Sequence, residues 1–103
     1  MFYHFYTHQS PIHGVGLFTR DTIPKGTCIL LAFVKGRDGN CAVSRRGQLI
    51  NHSSRLYNTT LVEKQYGYYL FANQTIHPYQ EILANYWDTP ACIAKPKPDW
   101  NDH

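Results

Sequence analysis

No stretch of this chain carries apolar residues at the sustained spacing of a helix face. They come in short runs broken by Gly, Pro, Asn and Asp, the pattern of strands joined by turns. Residues 2–8 are aromatic and β-prone and read as a first strand. Thr27 to Val34 is rich enough in Ile, Leu and Val to be a buried strand. Asn58 to Glu63 and Tyr68 to Ala72 read as a hairpin around Gln65-Tyr66-Gly67, and Glu81 to Tyr86 as a last strand. Ile23-Pro24-Lys25-Gly26 and His77-Pro78-Tyr79-Gln80 are turns. Lys35 to Gly47, with three glycines and three arginines, reads as a loop or a mobile crossover. The expectation is a mainly β fold of many short strands with little helix. It forms a single domain over 1–103, with an irregular proline-containing tail over 88–103.

A length of 103 residues allows one small core. Aromatics make up 15% of the chain, eight of them tyrosine, enough to line a pocket as well as a core. The formal charge of +3 permits an acidic partner without demanding one. The only basic clusters, Arg45-Arg46 and Lys95-Pro96-Lys97, are short, so nucleic acid is a poor fit as partner. No apolar stretch is long enough to span a membrane, and no signal segment opens the chain. Cys28, Cys41 and Cys92 are widely spaced without a Cys-x-x-Cys pair. They read as three reduced thiols of an intracellular protein. His4 and His8 would share one face of a strand but sit too far apart to chelate a metal.

The chemistry concentrates at Asn51-His52-Ser53, directly after Leu49-Ile50. Buried Asn and His side chains are costly unless hydrogen-bonded. A polar cluster ending an apolar run is therefore a candidate binding site, although the same residues also cap strands in turns. Upstream, Gly14 and Gly16 flank Val15 just before Leu17-Phe18. Glycine there permits positive φ or close approach of the backbone to a ligand.

Three stretches taken in order resemble the SET domain of protein-lysine methyltransferases. Ser10 to Ile29 resembles its opening segment, with a Gly-x-Gly turn followed by an apolar pair and Ile-Pro-x-Gly. Ile50-Asn51-His52-Ser53 through Asn58 resembles its Asn-His-Ser…Asn motif. Phe71-Ala72, Ile76 and Glu81-Ile82 through Tyr86 resemble its last strand pair, which ends in a functional tyrosine. The short length is most similar to small stand-alone viral SET proteins. The resemblance implies several small twisted sheets and a pseudoknot, in which the C-terminal segment threads under a preceding loop. It implies S-adenosyl-L-methionine as cofactor and a protein lysine as substrate. Gly14, Val15 and Gly16 would bring the backbone to the cofactor. Asn51 would hydrogen-bond its methionine end, and the His52 backbone would hold the adenine. Tyr86 would stand beside the transferring methyl group and orient the amine. Tyr57, Tyr66, Tyr68 and Tyr69 are candidates for the walls of a lysine channel, and Trp87 and Trp100 for a cover over the cofactor.

The chain departs from the family pattern at several positions. Tyr79 stands where the family carries Gly, Tyr57 where it carries Pro, Asn85 where it carries Asp or Ser, and Trp87 where Gly follows the tyrosine. Only about twenty residues separate Leu31 from Asn51, where the family builds one wall of its peptide groove. A homodimer completing that groove and a non-catalytic module binding cofactor or a partner are both compatible with these departures.

Overall fold

The computed structural model describes residues 3–38 and 40–88. The fold is mainly β, as expected, and forms two sheets. Strands β1 (Phe5–Gln9) and β2 (Val15–Thr19) make an antiparallel hairpin. The second sheet holds β3 (Cys28–Lys35), β4 (Cys41–Val43), β5 (Asn51–His52), β6 (Thr59–Glu63), β7 (Gly67–Ala72) and β8 (Leu83–Ala84), in the order β4-β3-β7-β6-β8-β5. Among the described residues, two short 3-10 turns, Gly47–Leu49 and Tyr86–Asp88, complete the regular structure.

In the middle of β3, Leu30 and Ala32 are buried while Ile29, Leu31 and Phe33 alternate with them and are only partly buried, the period of two that a strand imposes. Two register shifts against β7, near Ile29 and Ala32, add twist to the sheet. The β6–β7 hairpin lies within one residue of its expected bounds. The core is tied across the chain by Ile23 and Ile76, both fully buried. Each donates its N–H to the other's carbonyl, at 2.7 and 2.8 Å. Two residues from turns of opposite halves of the sequence thus act as a single rung of sheet.

Three expectations are corrected. The 35–47 segment is a hairpin: β4 pairs with β3, and Asp38 closes the turn by accepting from the Asn40 N–H at 3.1 Å. Gly, Asn and Arg mark where a chain turns but do not exclude a short strand after the turn. The last strand is only Leu83–Ala84, because the chain enters the 3-10 turn at Tyr86. Cys41 is disulfide-bonded, whereas Cys28 is free and exposed. Sequence spacing reports local thiol pairs, and a disulfide joins thiols that folding brings together. The thiol count therefore gives no argument for a reducing compartment. Trp100, Cys92 and the expected tail beyond Asp88 lie outside the described residues. Among the described residues no helix is long and apolar enough to cross a membrane.

One connection is unusual. Strands β5 and β6 are both parallel to β8, which lies between them. Residues 53–58 join β5 to β6 and so must cross one face of β8. A crossover between parallel strands usually takes about a dozen residues or more, and this one takes the six residues 53–58. The crossing is held from inside by Asn58, whose side chain is buried. Its Nδ2 donates to the Glu81 carbonyl at 2.8 Å, and its Oδ1 accepts from the Leu83 N–H at 2.9 Å.

Tyr79 has φ +69, in the left-handed region, and the residue is 69% exposed. A non-glycine residue there stores about 1–2 kcal/mol of strain, and glycine costs about 0.5–1 kcal/mol in unfolded-state entropy. Tyr79→Gly is therefore expected to stabilise the protein slightly, raising its melting temperature by a few degrees. A fall in melting temperature would mean instead that the ring contributes packing worth more than the strain.

Candidate active site

The site is organised by β5. Its two residues project to opposite sides of the strand, so Asn51 and His52 reach different parts of the chain. Asn51 is aimed at the turn before β2. Its Nδ2 donates to the His13 carbonyl at 2.9 Å and to Glu81 Oε2 at 2.8 Å, with the Val15 carbonyl at 3.4 Å. Three acceptors around one atom identify it as the nitrogen of the amide. The Asn51 Oδ1 then faces away from the turn and has no hydrogen-bond donor among the described residues.

The turn itself is built from Ser10. Its N–H donates to the Gly14 carbonyl at 2.7 Å. Its hydroxyl accepts from the Ile12 and His13 N–H groups, at 2.9 and 3.3 Å, and donates to Glu81 Oε1 at 2.7 Å. Gly14 has φ +47, and a Cβ there would meet open space, so its backbone conformation is what demands glycine. Gly16 is needed for another reason: a Cβ would overlap the Glu81 carboxylate, 2.7 Å from its Cδ. The smallness of Gly16 thus serves a contact within the protein. Val15 between them is 54% exposed.

On the other side of β5, the His52 ring is buried. Its Nδ1 accepts from the Tyr86 N–H at 3.0 Å, so that nitrogen carries no proton. The two rings meet edge to face, with centroids 5.7 Å apart at 63°. The Tyr86 hydroxyl donates to the Ile50 carbonyl at 2.6 Å. Burial pushes the Tyr86 phenol above its ordinary value, so it stays neutral through the physiological range. Trp87 stands edge-on to His52 with centroids 6.4 Å apart, and 56% of its surface is exposed.

The structure thus brings Gly14, Val15 and Gly16 to Asn51, and Tyr86 to His52, around one two-residue strand. The channel candidates are dispersed. Tyr66 is exposed on the β6–β7 turn, and the Tyr68 ring faces the Lys35 ammonium at 5.5 Å. Tyr57 lines an open groove of about 450 Å³ with Leu56, Tyr79 and Gln80, beside Glu81. Sequence reading assigned no role to Glu81 or Ser10. The available signal was the lone carboxylate of Glu81-Ile82-Leu83-Ala84, an acid at the head of an otherwise apolar run. No family model matches the chain, and no curated protein is significantly similar to it.

Proposed function

We propose that this chain is an S-adenosyl-L-methionine-dependent protein-lysine N-methyltransferase of the SET type. The observation that carries the reading is the convergence on β5 of two segments remote in sequence, the Gly14–Gly16 turn at Asn51 and Tyr86 at His52. The 53–58 connection crossing β8 supports the pseudoknot expected of such a fold. So does Tyr79: at the position where the family carries Gly, the backbone keeps the left-handed φ that glycine serves.

The cofactor, when bound, supplies an electrophilic methyl group on a sulfonium sulfur. The residues fit such a ligand at the methionine end, because the outward Asn51 Oδ1 is an acceptor suited to an ammonium group. Gly14 and Val15 would offer main chain beside it, and the His52 backbone would hold the adenine. Tyr86 works as an orienter. Its proton is committed to Ile50, so toward a substrate amine the oxygen accepts. Its raised pKa rules it out as a general base near neutral pH. The lysine must therefore lose its proton to water, and desolvation in a closed site lowers its pKa enough to help. The partner is a protein presenting a lysine, and a second copy of the chain would supply a groove wall.

A second reading, a non-catalytic module of the same fold, draws on the segment between β3 and β5. It yields only β4 and one 3-10 turn, too little for a groove wall. Calorimetric titration with S-adenosyl-L-methionine tests the shared premise. The wild type is expected to bind, and Asn51→Ala to bind about tenfold or more weakly. Absence of binding by a folded wild type would count against both cofactor readings.

A further inference from the structure

We propose that Glu81 is a positioning residue for this site, holding the Asn51 amide in one orientation so that its oxygen faces the ligand. The inference deepens the reading above and rests on it only for the identity of that ligand.

Glu81 is 8% exposed, and a carboxylate so buried is costly unless both oxygens are hydrogen-bonded. Its two oxygens meet donors that cannot be exchanged. The Ser10 hydroxyl already accepts two main-chain N–H groups, so its proton is left for Glu81 Oε1. The Asn51 nitrogen can only donate, and it does so to Oε2. The site therefore requires acceptors at both positions. Gly16 leaves the space that lets the carboxylate sit against this amide. A group that only filled the volume would not need two acceptor oxygens, nor a glycine opposite them.

Glu81→Gln has the same shape but exchanges one acceptor for a donor. Its NH2 group then faces either the filled lone pairs of Ser10 or the NH2 of Asn51. Turning the Asn51 amide over would relieve that contact but set its oxygen against the His13 and Val15 carbonyls that its nitrogen now meets, so the amide is displaced from its single orientation. The Asn51 oxygen then no longer holds a fixed place on the ligand side, and an ammonium group there loses its acceptor.

The test has two arms. In the ¹⁵N spectrum of the protein without ligand, the Asn51 side-chain amide is expected as a dispersed, slowly exchanging pair, identified by its loss in Asn51→Ala. In Glu81→Gln the pair should shift and exchange faster; a pair that does not move overturns the proposal. In the second arm, S-adenosyl-L-methionine affinity is measured for the two single variants and the double variant. Glu81→Gln should weaken binding about tenfold or more alone, and less than about twofold when Asn51 is already Ala. Losses that add in the double variant overturn the proposal. If the wild type binds no cofactor while the amide pair still moves, the methyltransferase reading fails and the role of Glu81 stands. Should Glu81→Gln not fold, Ser10→Ala withdraws one donor from the same carboxylate. It must also move the Asn51 pair, and an unmoved pair is again the overturning result.

Discussion

On the proposed function, Tyr86→Phe is expected to lower lysine methylation about a hundredfold or more while leaving a folded protein that binds cofactor as the wild type does. The magnitude is that of removing a fixed polar group which, in the proposed role, stands beside the reacting atoms. Phenylalanine keeps the edge-to-face contact with the His52 ring and leaves the Tyr86 N–H on His52 Nδ1. What it removes is the oxygen held by its bond to Ile50. The Ile50 carbonyl loses a partner, at a cost of about 1–2 kcal/mol in stability. Transfer of labelled methyl groups to a mixture of basic proteins reads the effect. Undiminished transfer by the variant would remove Tyr86 from the chemistry. The pH dependence of stability gives an independent check. The folded-state pKa of Tyr86 is raised by burial above an ordinary value near 10.0. Its contribution is therefore complete below pH 10.0 and lost as pH rises through the higher folded-state value. Tyr86→Phe should lose this part of the alkaline decline.

The largest loss of stability is expected from Asn58→Ala. The Asn58 side chain bonds the main chain of the last strand segment twice, donating to Glu81 and accepting from Leu83. Its relative exposure is 5%, so water cannot take its place. Stranding both main-chain groups costs about 2–5 kcal/mol. For a domain of this size that lowers the melting temperature by roughly 10 °C or more. Asn58→Asp separates size from hydrogen bonding. It keeps an acceptor for Leu83 but sets an oxygen against the Glu81 carbonyl, and should also be strongly destabilising. Thermal unfolding of both variants measures this, and losses below about 1 kcal/mol would mean that the connection over β8 is held by other contacts.

The sequence carried the local parts of this structure and left out what depends on distance. The β6–β7 hairpin was legible because its pattern and turn lie within a few residues of one another. The resemblance singled out Asn51, His52 and Tyr86, and what the structure shows of them is their proximity around β5. Glu81 was not legible, because its partners Ser10 and Asn51 lie 71 and 30 positions away. Without them an acid at the start of a strand reads as a surface residue. Gly16 was legible as a glycine that mattered, but the reason, a carboxylate pressed against it, comes from the far end of the chain. Asn58-Thr59-Thr60 matches a glycosylation sequon, yet the Asn58 amide is spent inside the protein.

The connection over β8 also fixes an order of events. Strand β5 pairs in the sheet with β8 alone among the described strands. During synthesis β3, β7 and β6 can assemble while Asn51 and His52 still hang from an unclosed loop. Only when the segment around Leu83 slides in beside β6 does β5 gain a partner. Contacts between such distant parts of a chain form slowly. The site proposed around β5 should therefore be completed in the last phase of refolding, after most of the sheet has formed.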